Sequence, residues 1–151
     1  MKYINKKLTI EKVSIQNIAK KYGTPAYCYS YNQLKKNIKS FKDSFKSFSP
    51  LICFAIKSNT NLSLIREIGR FGLGADVVSA GELMMAIKAG INPKQIVFSG
   101  VGKTSSELSY AIDKKILLIN AESKSEIKEI ERIARLKRVK VQIGIRLNPN
   151  T

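Results

Sequence analysis

The sequence predicts an α/β fold, a parallel sheet with crossover helices. Three observations carry that reading. Apolar, strand-like runs begin near Ile52, Ala75, Ile96, Ile116 and Val141, at steps of 23, 21, 20 and 25 residues. Helical patterns lie between them, and three open on a Ser/Thr-x-x-Glu pattern: Ser79 with Glu82, Thr104 with Glu107, Ser123 with Glu126. Such a box satisfies two helix-end amides at once, the hydroxyl capping the N3 amide and the glutamate reaching back to the cap residue's own N–H. Runs such as LICFAI and KVQIGIRL are also nearly continuous in apolar residues, as strands covered on both faces are. Strands alternating with helices at this spacing make a parallel sheet. An open doubly wound sheet and a (β/α)8 barrel both fit. A whole barrel needs about 250 residues, so five strands in 151 residues would be a partial one.

The elements follow in order. Residues 8–10, LTI, read as a short strand. Ser14 to Tyr22 is helical, with Ile15, Ile18 and Ala19 on one face, and Gly23 and Pro25 stop it. Ala26–Tyr29 is short and β-prone. Residues 31–48 are helical, with Leu34, Ile38, Phe41, Phe45 and Phe48 on one stripe. That stripe is expected to cover a core. From residue 51 the βα grammar begins, and Gly90 ends a helix just before Asn92-Pro93.

Composition excludes several functions. Hydrophobic residues make up 44%, so disorder is excluded. There is no histidine and there are only two cysteines, Cys28 and Cys53, which removes His-based triads, zinc sites and a disulfide framework. No metal site is expected. No apolar run approaches the ~18 residues of a membrane span, and MKYINKKLTI lacks a signal peptide's apolar stretch. A cytoplasmic protein without a membrane partner is expected. The formal charge of +16 invites a nucleic-acid reading. Yet the cations are mostly lysines, placed singly or in pairs on helix faces, whereas phosphate and base recognition favours arginine. A solvated basic surface, and no nucleic-acid partner, is the expectation.

Two motifs mislead. Ser99-Gly100-Val101-Gly102-Lys103-Thr104 resembles a phosphate loop, but the required earlier glycine is Val97. Gly72-Leu73-Gly74 starts a dinucleotide fingerprint, but it precedes its strand. The informative lysine is Lys57, which ends LICFAI and precedes the polar turn Ser58–Asn61. Chemistry in both architectures sits beyond the carboxyl ends of strands. A lysine there, backed by apolar chain, is expected to be partly desolvated, which favours the neutral amine of a Schiff-base lysine. The bland reading is one more surface lysine. Asp76, Ser79, Gly100, Asn120, Arg146 and Asn148 share the strand-end zone. Asp76 and Arg146 either pair near Lys57, or Asp76 caps backbone amides while Arg146 joins a structural ion pair.

The stretch FAIKSNTNLSLIREIGRFG resembles the cofactor-attachment region of the alanine-racemase-like, barrel-fold, pyridoxal-phosphate-dependent amino-acid decarboxylases. Phe54, Ala55, Lys57, Ser58, Asn59, Leu64, Ile65, Ile68 and Gly72 carry the likeness. KKYGTPAYCYS (20–30), GADVVSAGEL (74–83), IVFSGVGKT (96–104) and LLINAES (117–123) are similar to the diaminopimelate-specific branch. The resemblance implies a partial (β/α)8 TIM barrel over 13–151, with residues 1–12 joining a mainly C-terminal β-domain. It implies pyridoxal 5′-phosphate as cofactor, Lys57 as the catalytic Schiff-base lysine, and Asp76 and Arg146 lining the cofactor pocket. The implied reaction converts meso-diaminopimelate to L-lysine and CO2, in a homodimer acting on a small-molecule amino acid. Ornithine, arginine or carboxynorspermidine decarboxylation, or a non-catalytic barrel relative, are the alternatives. The family's ring-stacking histidine, Gly-rich phosphate loop, ring-nitrogen partner and substrate residues have no counterpart before Thr151. The chain is therefore expected to be an N-terminal fragment, inactive and aggregation-prone alone.

Overall fold

A computed structural model describes residues 1–149. The chain divides into two compact units, Met1–Pro50 and Leu51–Thr151.

The first unit holds a three-stranded antiparallel sheet of β1 (Lys2–Ile4), β2 (Lys7–Ile10) and β3 (Val13–Ser14). Asn5 and Lys6 make the two-residue β1–β2 turn with φ of 49° and 61°. Positive φ at both turn residues matches the twist of a tight hairpin. Helix α1 (Ile15–Tyr22) follows, and Gly23 closes it at φ 80°. Ala26–Tyr29, expected as a strand, is irregular. Its β-prone side chains find no neighbouring strand to pair with. Helix α2 (Tyr31–Ser44) starts at Ser30, whose side chain accepts the Gln33 N–H. The helix stops short of the 48 expected, and its aromatic stripe does not cover a core. Phe41, Phe45 and Phe48 are exposed, and the Phe41 and Phe45 rings meet at 5.0 Å. Among its described residues this unit buries only Thr9 and Ile10. Three short strands offer too little apolar surface to bury the stripe.

The second unit repeats βα. Its elements are β4 (Cys53–Ala55), α3 (Leu62–Arg70), β5 (Gly74–Val77), α4 (Ala80–Lys88), β6 (Ile96–Phe98), α5 (Ser105–Asp113), β7 (Leu118–Ala121), α6 (Lys124–Lys137) and β8 (Ile143–Ile145). All neighbouring strands are parallel, and the sheet order is β4-β5-β6-β7-β8. Each new strand joins the same growing edge. A doubly wound sheet reverses direction partway, so the order decides for a partial (β/α)8 barrel.

Register sorts the strand residues into two rows. Ala75, Val77, Ile96, Phe98, Ile119 and Ala121 pack against the helices and are 0–1% exposed. Leu83, Ala86, Leu108, Ala111, Ile130 and Ile133 meet them from α4, α5 and α6. The alternate row is Cys53, Ala55, Asp76, Val97, Ser99, Leu118 and Asn120, every one half-buried.

All three predicted caps form, with one revision. Ser79, Thr104 and Ser123 each accept the N–H of the glutamate three residues on. Only Glu107 returns the bond to its own cap residue, accepting the Thr104 N–H at 3.1 Å. Glu82 and Glu126 instead accept from Val78 and Glu122, each the residue before the cap. Ser79 and Ser123 are strongly extended at φ −155° and −154°, whereas Thr104 is at −75°. That difference moves the reachable amide by one residue.

Candidate functional site

The half-buried row carries the polar chemistry. Asp76 sits opposite Val97 in the register, and Ser99 lies two residues further along that same face. The Ser99 hydroxyl donates to Asp76 Oδ1 at 2.6 Å. Asn120, beside Ser99 on the next strand, donates from Nδ2 to Ser99 Oγ at 3.1 Å. Three strands are thus linked at their carboxyl ends by one chain of bonds. Gly144 makes room for its last member: a Cβ there would lie 2.3 Å from Asn120 Oδ1. Gly74 serves the other end, where a Cβ would lie 2.1 Å from the Gln95 carbonyl oxygen.

Lys57 follows β4 in a one-turn 3₁₀ helix, Ile56–Ser58. Ile56 is fully buried toward the helices. Lys57 is next, one residue into that turn, and is exposed. The expectation of a partly desolvated ammonium is therefore corrected. The lysine has passed the end of its strand, where no apolar wall stands over it. Among the described residues it makes no hydrogen bond or ion pair. Asn59 and Asn61 stiffen the turn beyond it: Asn59 Oδ1 accepts the Asn61 N–H, and Asn61 caps α3 through the Ser63 and Leu64 amides.

Asp76 pairs neither with Lys57 nor with Arg146, and it caps no backbone amide; its partner is Ser99. Arg146 takes the ion-pair reading. Its guanidinium reaches Glu122 at 3.5 Å and Asn148 at 3.3 Å, with the side chain 56% exposed. Lys57, Asp76 and Arg146 share the strand-end zone without touching. Cys53 lies on the same face, where burial first and the Asp76 charge second push its thiol pKa up. A thiol held protonated is a packing group and not a nucleophile.

Sequence reasoning gave Ser99 and Lys103 no role at this end, and Glu126 only that of a helix cap. Lys103 is the largest omission. Its side chain is 1% exposed. Nζ donates to Glu126 Oε1 at 2.6 Å and to the carbonyls of Gly100 and Asn120 at 2.7 Å each. It also lies 5.6 Å from the Phe98 ring centroid. Every donor of this ammonium is used, so it has none left for a phosphate, and the rejection of a phosphate loop holds. Gly100 and Gly102, at φ 92° and 71°, turn the loop back so that the lysine can reach inward. Nothing in the composition separates this lysine from the others; the only available signal was two glycines and a lysine just before a cap. No cluster of metal-ligating side chains occurs among the described residues, and no described helix is long and apolar enough to cross a membrane.

Comparison with known proteins adds to this geometry. A family model described as pyridoxal-dependent decarboxylase, pyridoxal binding domain, matches residues 31–151. The chain is 43% identical over 150 residues to a diaminopimelate decarboxylase of Aquifex aeolicus, covering 99% of the chain and 35% of that protein. Against the Helicobacter pylori J99 diaminopimelate decarboxylase, identity is 46% over 129 residues, covering 85% and 32%. The crystal structure of AQ1208 from Aquifex aeolicus superposes with a TM-score of 0.94 at 44% identity, covering 99% of this chain and 37% of that one. The Helicobacter pylori diaminopimelate decarboxylase complexed with L-lysine superposes at 0.86 and 43% identity, covering 89% and 34%. The chain spans about a third of the length of the relatives it matches.

Proposed function

From the premise that this chain belongs to the pyridoxal-dependent decarboxylases through their pyridoxal binding domain, we propose that it supplies the cofactor-holding half-site of a diaminopimelate decarboxylase. The overall reaction would be meso-diaminopimelate to L-lysine and CO2. The observation that carries the reading is Lys57: an exposed, unpartnered amine at the carboxyl end of the first barrel strand. The donor set fits pyridoxal phosphate, since a free primary amine is what attaches its aldehyde. When bound, the cofactor supplies the electron sink for the electrons that the departing carboxylate leaves behind.

This chain's residues would divide the remaining work. Lys57 Nζ would hold the cofactor covalently, giving up a proton to do so. Asp76 presents a carboxylate oriented by the Ser99 hydroxyl, which donates to Asp76 Oδ1. Asn120 holds Ser99 in that orientation. Arg146 offers a cation at the same mouth, steadied by Glu122. Lys103 and Glu126 act from behind, fixing the loops that carry Ser99 and Asn120. Residues 1–12 would contribute to a separate β-domain, the working enzyme would be a cytoplasmic homodimer, and its ligand would be an amino acid with no nucleic acid or membrane involved.

The test is reduction, with borohydride, of the enzyme that contains this chain in the presence of pyridoxal phosphate, followed by peptide mapping. Lys57 is expected to carry the dominant pyridoxyl label, and Lys57→Ala to lose it. Labelling spread evenly over the surface lysines would overturn the proposal. Lysine as the product from meso-diaminopimelate, in the enzyme that contains this chain, tests the substrate.

A further inference from the structure

The opposite end of the sheet carries a cavity that the proposed function does not use. It lies among the segments entering β6, β7 and β8, whereas Lys57, Asp76, Ser99, Asn120 and Arg146 lie where strands end. Its volume is about 360 Å³, within the range of small-molecule pockets. The floor is apolar: partly buried Ile116 supplies its accessible area, since Ile112 of α5 and Ile119 of β7 are only 6% and 1% exposed. Val141 closes one side. Three lysines from three separate segments line it as well: Lys94 before β6, Lys115 before β7 and Lys140 before β8. No carboxylate lines it. Asp113, close by in sequence, is engaged by Lys137 at 2.7 Å. Among the described residues Lys94, Lys115 and Lys140 have no ion-pair partner. Lys115 also holds a left-handed backbone at φ 52°, where glycine or asparagine is the usual choice.

We propose that this cavity binds a small organic anion, with an apolar body on the isoleucine floor and a phosphate or carboxylate among the three ammonium groups. Three like charges around an apolar hollow repel one another, and an anion relieves that repulsion. A bare inorganic ion would leave the floor unfilled, and a neutral hydrocarbon would leave the cations unpaired. Both features are therefore needed in one molecule, with a body of roughly ten heavy atoms for this volume.

Phenyl phosphate is a suitable probe, titrated calorimetrically into the cofactor-loaded enzyme that contains this chain, with inorganic phosphate and benzyl alcohol as the two half-ligands. Saturable one-to-one binding with Kd below about 1 mM is expected, and each half-ligand should bind at least about tenfold more weakly. The triple variant Lys94→Gln, Lys115→Gln, Lys140→Gln should weaken binding by about tenfold or more through loss of charge pairing. Val139, 41% exposed at the cavity edge, provides a variant that spares the core: Val139→Asp should abolish binding with the circular dichroism spectrum unchanged. Lys57→Ala should bind the probe like the parent, which separates this site from the cofactor reading. Absence of saturation by about 10 mM, equal binding of inorganic phosphate, or undiminished binding by the triple variant would each overturn the proposal.

Discussion

The two faces of the five-stranded sheet are made from the same short strands, yet they differ in every physical respect. Toward the helices, Val77, Ile96, Phe98 and Ile119 are sealed from solvent. Toward the other side, Asp76, Ser99 and Asn120 remain half-exposed and bonded to one another. Strand periodicity alone assigns each residue to one face or the other. One face carries the burial that holds the unit together, and the other is free to carry polar groups that a packed core would penalise. A one-residue slip in any strand would exchange the two.

Substitutions can break this contrast, and the largest effect belongs to the sealed face. Phe98→Ala should cost about 4 kcal/mol, read as a fall in the urea midpoint. Next comes Lys103→Met, which leaves the Glu126 carboxylate buried without its cation and should cost about 3 kcal/mol. Adding Glu126→Gln to that variant should recover most of the loss, because no buried charge then remains. Gly144→Ala, on the open face, drives a Cβ onto Asn120 Oδ1 and breaks the Asn120–Ser99 bond; about 1–2 kcal/mol is expected. The asparagine side-chain amide resonances should move more than any core methyl.

The smallest effect is a pH dependence. The Ala80 and Thr104 amides donate to Glu107 and hold its carboxyl below the ordinary value of 4.5. A depressed folded pKa stabilises above the unfolded value and stops doing so as pH falls through the folded one. Glu107→Gln should therefore lower the urea midpoint at neutral pH, and the gap to the parent should close as pH falls below the ordinary carboxylate range.

Much of this contrast is legible in the sequence. All five barrel strands begin within about two residues of the predicted positions, because buried parallel strands are apolar runs and helix starts carry hydroxyl caps. Asp76 and Asn120 were recognised as strand-end polar residues, since their place follows from counting along each run. Lys103 was not, because burial of a lysine is decided by what faces it, here Glu126 and two carbonyls from other segments. Position marks Lys57 as a strand-end lysine, but its solvation is not legible there, since exposure depends on neighbours that its own strand does not specify. The aromatic stripe of α2 failed for a similar reason. A helical period shows that a face is apolar, and says nothing of whether its own unit has the surface to cover it.

The strand-end bonds also have a consequence for how this unit tolerates change. Glu107 caps its own helix with one oxygen and accepts the Ala80 amide, at the start of α4, with the other at 3.0 Å. Lys103, just before α5, grips Glu126 in the first turn of α6. The starts of α4, α5 and α6 are thereby latched in series, as in a solenoid whose repeats interact only with the next in line. Loops at this end are then heritable in pairs: a graft that replaces one must bring the matching latch on the adjoining helix, and two loops not joined by a latch can be exchanged independently.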